Sequence, residues 1–341
     1  MAQIDLDEDE AMLAATLADE DRSLMLRAAW LYFIEEQTQA DIAETLGVSR
    51  FRINRALAEC RRQGLVQIQV TSPLASCLAL EQRVTRAFGV REAIVVPSPA
   101  DPARSHVMIA AGLARYVGGQ IADPQKTVFG FGWGQTIKEM LRFLDPVARN
   151  EAVIVTLLGT LPHSAEENSI EIIAKLGRML GAERRYMTAP IYVDSPEARY
   201  MLAGQHFFSS VLSTILASDL ACFAVGNVSD DSLLVRHGLP KNVRIDDIVA
   251  AGAVGDFLGT FIDIDGRAVD HPINRQLVGP GLEDLRSLKS LVLASGGPRK
   301  VDILTGALRT GLVDVLVSDE TTVEAVLALH EGDGAQVPLK A

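Results

Sequence analysis

Gln39-Ala40-Asp41-Ile42-Ala43-Glu44-Thr45-Leu46-Gly47-Val48-Ser49-Arg50-Phe51-Arg52-Ile53-Asn54 reads as two short helices broken at a glycine. Thr38 stands where it can cap the first, whose inward face is Ile42, Ala43 and Leu46, and Gly47 is the small residue expected just past a helix C-terminus. Ser49 caps the second, Arg50 to about Gln63, which turns Ile53, Ala56 and Leu57 inward and stops at Gly64. Ala43 lets the helices approach, Gly47 permits a left-handed turn, and Val48 with Ile53 plugs the space between them. This is the sequence logic of a helix-turn-helix. On that reading Gln39, Ser49, Arg50, Phe51, Arg52, Asn54 and Arg55 are the candidate DNA contacts, arginine suiting guanine edges and phosphate, asparagine suiting adenine. The alternative is an ordinary helical hairpin whose arginines are a solvated face. Against it stands the coincidence of cap, glycine, small residue and basic face in one window.

Working outward, a first helix is expected over about 22–36, where Leu24, Leu26, Ala29, Trp30, Tyr32 and Phe33 recur at helical spacing. After Gly64, Leu65-Val66-Gln67-Ile68-Gln69-Val70 alternates at period two and reads as a strand or wing. Thr71-Ser72-Pro73 is a natural boundary, because proline disfavours helix in the residue before it. Four segments result: an acidic tail over 1–22, a winged helix-turn-helix over 23–72, a large unit over 76–330 and a C-terminal tail over 331–341.

Charge supports this division. The 341 residues carry a formal net charge of −12, which argues against a surface that binds nucleic acid everywhere. Yet residues 1–24 alone hold a net −7, whereas residues 50–62 hold a net +4. Arg61 and Arg62 extend the basic face, either as phosphate contacts or as partners in helix-surface salt bridges.

The large unit alternates apolar runs with helical stretches: Ala93–Val96, Thr127–Phe131, Ala152–Leu158, Ile191–Val193, Leu220–Val225, Leu291–Ala294 and Val313–Val317. That pattern predicts βα units around a mainly parallel sheet, a Rossmann-like α/β fold. Residues 257–275 read as an inserted hairpin. With 48% hydrophobic and 22% charged residues the chain can bury an extensive core, and no apolar run approaches the length of a membrane span. The acidic N-terminus is unlike a secretory or transit peptide, so a cytoplasmic location is expected. Cys60, Cys77 and Cys222 show no paired spacing, and the six histidines show no metal-ligand spacing. Neither metal nor cofactor is expected.

Within this unit Gly132-Trp133-Gly134-Gln135-Thr136 follows a strand and opens a helical stretch, an arrangement that lets backbone N–H groups reach an anion such as phosphate. The same glycines could serve only a tight turn, and Trp133 could be plain core. Lys300 after Gly296-Gly297, and Asp319-Glu320 after another strand, sit at carboxyl ends of strands, where open α/β sheets place ligands. Lysine can pair with phosphate and carboxylates can accept sugar hydroxyls, and Asp256 is a further candidate. For each of these four charges a structural salt bridge is the competing reading.

Gln39 to Arg50 resembles the N-terminal module of SorC-type sugar-responsive bacterial regulators, and Gly64-Leu65-Val66-Gln67-Ile68 fits too. Gly132–Thr136, Leu157-Leu158-Gly159, Ala253-Val254-Gly255-Asp256, Gly296-Gly297-Pro298-Arg299-Lys300 and Ser318-Asp319-Glu320 are similar to that family's effector-domain landmarks, in order. Each is weak singly; five in order are specific. The resemblance implies an effector domain similar to sugar-phosphate isomerases and glucosamine-phosphate deaminases, binding a sugar, polyol or sugar phosphate. It further implies homodimers or homotetramers on double-stranded operator DNA. One departure is Thr160, where a second glycine after Gly159 is common in the family.

The expected function is a transcriptional regulator, a repressor of a carbohydrate or polyol catabolic operon, not an enzyme. The competing expectation is a sugar-phosphate isomerase or deaminase with an accessory helical domain, since fold alone does not decide function. No acid/base constellation beyond isolated carboxylates supports it. A third reading uses the acidic tail as a contact surface for other proteins.

Overall fold

A computed structural model describes residues 22–35, 37–66, 75–145, 147–161 and 168–333. The chain forms two compact units, residues 1–69 and 70–341. The acidic tail before residue 22, the expected wing strand over 67–70, the boundary at Thr71-Ser72-Pro73 and residues 334–341 lie outside the described residues; Leu65 and Val66, which open that wing, form a bend.

The first unit comprises α1 (22–33), α2 (Gln39–Thr45) and α3 (Arg50–Arg62). Thr38 Oγ1 accepts the Asp41 N–H at 3.3 Å and Ser49 Oγ accepts the Arg52 N–H at 3.2 Å, so both expected caps are present. Gly47, between the helices, has φ 65°. Ala28, Ala29, Ile42, Ile53, Ala56, Leu57 and Cys60 make the core, which Leu46 and Val48 cover. The helix period therefore turns one face of α3 inward and leaves Arg50, Phe51, Asn54, Arg55 and Ala58 exposed.

The second unit runs α4 (Ala75–Phe88), β1 (Glu92–Val96), α5 (Ser105–Ala122), β2 (Val128–Phe131), α6 (Gln135–Met140), β3 (Val153–Thr156), α7 (Ser169–Leu180) and β4 (Glu183–Arg185). It continues with α8 (Pro196–Ala203), α9 (His206–Leu216), β5 (Leu220–Phe223), β6 (Gly226–Asn227), α10 (Leu233–His237), α11 (Ile245–Ala250), β7 (Gly255–Phe257) and β8 (Thr260–Ile262). The last elements are α12 (Leu282–Leu285), β9 (Leu291–Ala294), α13 (Val301–Arg309), β10 (Val315–Asp319) and α14 (Glu320–Asp333).

Seven strands form a parallel sheet in the order β1-β10-β9-β5-β2-β3-β4. Apart from β4 at one edge, the strands are short apolar runs buried on both faces because helices cover both. In β9, Leu291 and Leu293 enter one core cluster with residues of α4, α9, α13 and α14, while Val292 and Ala294 enter the other with α5, α6 and α7. From β2 the chain steps outward to β3 and β4; β5 then returns to the other side of β2 and β9 follows it. The order reverses between β2 and β5, the place where open α/β sheets hold ligands beyond their carboxyl ends.

Two expectations need correction. Ile191–Val193 is not a strand; it makes one isolated bridge, Tyr192 to Leu277, and its apolar side chains pack into the core. The sheet edge is instead β4, polar Glu183-Arg184-Arg185, whose backbone pairs with β3 without an apolar pattern to announce it. The expected hairpin over 257–275 begins earlier: β7 and β8 turn at Leu258-Gly259, and β6 completes a three-stranded antiparallel sheet.

Candidate functional site

The carboxyl ends of β2, β5 and β9 open into a cavity of about 440 Å³, within the size range of small-ligand pockets. Trp133, Gly134, Gln135 and Thr136 supply one wall, the segment after β5 a second, and Gly296 to Lys300 a third. The turn after β2 needs its glycine: Gly134 has φ 118°, which L side chains rarely adopt. Trp133 lines the cavity and also packs, half-buried, against the core, so both earlier readings of it describe part of its position. Because α6 has only six residues, its N-terminus offers little dipole, and an anion here depends on the basic side chains.

Those are Lys300 and Arg299. Lys300 Nζ donates to the Val225 carbonyl at 3.0 Å, and burial lowers the lysine's pKa although the charge of Asp256 opposes this. Asp256 is 4% exposed. Burial raises its carboxyl to about 6, against the Gly259 N–H, the Lys300 charge and the Gly226 backbone, which all favour ionisation. Antiparallel pairing of Gly226 with Asp256 brings this acid, some thirty residues further along the chain, to the end of β5. Gly226 permits the approach, since a Cβ there would collide with Asp256 Oδ1.

The cavity wall also contains residues the sequence reading did not select. Arg299 Nη1 pairs with Asp231 Oδ2 at 2.5 Å, and Asp231 is held below the usual carboxylate range first by the Ser229 hydroxyl and further by Arg299. His106 and Ser105 enter from the start of α5, with His106 Nδ1 2.9 Å from the Ala103 carbonyl. Arg299 sits inside the Gly296 to Lys300 stretch, whereas no linear motif carries Asp231, His106 or Ser105; only the parallel sheet order brings the ends of β1, β5 and β9 together.

Several predicted site residues lie elsewhere. Gly132 is buried behind the turn against Phe223. Gly159 packs against the Ala189 and Pro190 carbonyls, where a Cβ would clash. Asp319 is 2% exposed and spends both oxygens on protein donors: Ser98 Oγ and Thr322 N–H on Oδ1, Gly297 N–H and Thr322 Oγ1 on Oδ2. It braces the Gly297 turn from beneath. Glu320 starts α14, outside the cavity lining.

In the first unit, Arg50, Phe51, Arg52, Asn54 and Arg55 share the exposed start and outer side of α3, whereas Ser49 is engaged as cap and half-buried Gln39 opens α2. Arg62 is committed to Glu59, its Nε 2.7 Å from Oε2; with Gln63 it holds that carboxyl at about 2. Arg61 lies over the Phe33 ring, 5.6 Å from its centroid.

A helix-turn-helix unit and an α/β unit with a ligand-sized cavity at its switch point, carried on one chain, define the class of metabolite-responsive regulators. The family described as "Putative sugar-binding domain" matches residues 72–328. Transcriptional regulator LsrR of Enterobacter sp. (strain 638) is 31% identical over 320 residues, covering 92% of this chain and 96% of that protein. The erythritol catabolism regulatory protein EryD of Brucella abortus (strain 2308) is 25% identical over 316 residues, 93% of this chain and all of that one. The full-length sorbitol operon regulator SorC of Klebsiella pneumoniae superposes with a TM-score of 0.69 at 25% identity, over 90% of this chain and 99% of that structure. The chain belongs to this family of SorC-type transcriptional regulators with a sugar-binding domain.

Proposed function

We propose that this protein represses a carbohydrate or polyol catabolic operon and is controlled by a sugar, polyol or sugar phosphate bound in the cavity beyond β2, β5 and β9. The observation that carries the reading is the cavity: Gly134 backbone, Gln135 and Thr136 face a wall bearing Lys300, Arg299 and Asp256. Cations suit a phosphate, and the acid suits hydroxyl donors. The names of EryD and SorC, which refer to erythritol and sorbitol, support the polyol and sugar class. Arg50, Phe51, Arg52, Asn54 and Arg55 contact operator DNA in the major groove, positioned by the Ser49 cap. Homodimers or homotetramers present pairs of α3 helices at half-sites about 34 Å apart or multiples of it. The protein works in the cytoplasm; among the described residues no helix is long and apolar enough to cross a membrane.

The protein acts as a switch rather than an enzyme. Asp256 and Lys300 are each held by backbone partners, Gly259 N–H and Val225 O, an arrangement that fixes a ligand better than it shuttles protons. Occupancy changes operator affinity only as far as ligand binds the two states differently. The test screens sugar phosphates and polyols by thermal shift, then titrates the hit into an anisotropy assay on DNA from the region upstream of the gene. Ligand-dependent release without turnover is the expected result; turnover of the hit, or no effect on DNA, rejects the reading.

A further inference from the structure

Phe51 is 78% exposed, in the first turn of a helix whose other exposed residues, Ala58 apart, are basic or polar. Turning by about 100° per residue, α3 puts Phe51 roughly 170° from the centre of the buried face formed by Ile53, Ala56, Leu57 and Cys60. It therefore lies, together with Arg62 near the other end of the helix, most directly opposite the core. Ala58, two turns along the same outward side, is also exposed and adds no polar atom. Arg50 and Asn54 flank this apolar line on one side and Arg55 on the other. In a helix lying in a major groove, the line opposite the core faces the base edges and its flanks face the phosphates. The one apolar feature on those edges is the C5-methyl of thymine.

We infer that Phe51 reads a thymine methyl group in each operator half-site, with Ala58 allowing the helix close enough for the ring to cover it. The inference rests on α3 being the recognition helix, and it adds what that reading leaves open: a base preference, assigned to a side chain without hydrogen-bonding atoms. Asn54, one turn further along, donates and accepts at an adenine beside it, so the step under the start of α3 is rich in A·T pairs.

The test uses the full-length chain and duplexes it selects from a random-sequence library. Each thymine of the selected half-site is replaced in turn by deoxyuridine, which removes only the methyl. At one thymine per half-site the unsubstituted protein should bind about fourfold more weakly, the worth of one buried methyl. Phe51→Ala, whose fold is checked by circular dichroism, should bind the thymine duplex more weakly and lose nothing further with deoxyuridine at that position. Equal losses in both proteins, or no thymine that matters, overturn the inference and leave the recognition helix standing. A Phe51→Ala effect that appears only as a changed oligomer mass in sedimentation also overturns it, by assigning the ring to a second copy of the chain. Failure to select any duplex overturns the recognition helix itself.

Discussion

Asp256 Oδ2 accepts the Gly259 N–H at 3.0 Å across the turn of the β7–β8 hairpin. Leu258 and Gly259 both have positive φ, 47° and 78°, the backbone of a tight hairpin turn that a leucine adopts only at a cost. The acid thus secures a strained turn while standing in the wall of the ligand cavity. Tyr192, whose hydroxyl lies 2.5 Å from the Gly259 carbonyl, holds the same turn from the other side.

Stability should consequently fall as pH rises through the Asp256 titration. Burial raises its folded pKa to about 6, above the unfolded value, so the folded state binds the additional proton. Its contribution is full below about pH 4 and is lost as pH passes the folded value, a difference of roughly 2–3 kcal/mol. Asp256→Asn should remove most of that difference. Urea unfolding of both proteins at pH 5 and pH 8 measures it, and an equal pH dependence in the two would refute the assignment.

Gly226→Ala should damage the cavity more than its size suggests. The new Cβ falls on Asp256 Oδ1, so either the β6–β7 pairing opens or the acid leaves its turn. A stability loss of about 1–3 kcal/mol is expected from such overpacking, together with loss of the thermal shift given by the effector. Gly119→Ala is the control: this helical glycine of α5 has open space at its Cβ position and should gain up to about 1 kcal/mol.

The contrast between those glycines shows what the sequence could and could not reveal. Thr38, Gly47, Ser49 and Gly64 act through neighbours a few residues away, so the helix-turn-helix was legible from spacing alone. The parallel strands β1, β2, β5, β9 and β10 were legible because burial on both faces demands apolar runs. β4 was not, since Glu183-Arg184-Arg185 joins the sheet by backbone alone at an edge. Lys300 is legible from its place after a strand and a glycine pair, Asp256 only as a further acidic candidate beside Gly255, and the β6–β7 pairing and the sheet order bring the two to one cavity. Asp319 obeyed the same local rule, yet its oxygens are consumed by Ser98, Gly297 and Thr322, of which Ser98 is distant in sequence. Asp231 and His106 are not legible in the sequence because a cavity wall assembled from several connections has no linear signature, whereas Arg299 stands beside Lys300 in a legible stretch and only its pairing with Asp231 is hidden.

Lys300→Gln should separate the two activities. Removing a charge-assisted contact costs about 1.5–3 kcal/mol, so the affinity of a phosphorylated effector should drop roughly 10- to 150-fold. Operator affinity without effector should not change, because the Lys300 ammonium belongs to the cavity, where it donates to the Val225 carbonyl. Isothermal titration with the effector and anisotropy with DNA check the two halves. A parallel loss in both would mean that Lys300 supports the fold of the unit instead.

The basic residues of α3 should differ in what each contributes to the salt dependence of DNA binding. Arg50 and Arg52 stand exposed at the start of α3. If both touch phosphates, the Arg50→Ala/Arg52→Ala double variant should lower the slope of log K against log[salt] by about 2. Arg62 is already neutralised by Glu59, which the arginine and Gln63 hold ionised down to about pH 2. Arg62→Ala should therefore change the slope by clearly less than 1, whereas Glu59→Gln, which frees that arginine, should steepen it. Anisotropy titrations between 50 and 200 mM salt read all three slopes. A double variant with an unchanged slope would place the arginines away from the phosphates, and with them the whole orientation of α3 on the duplex.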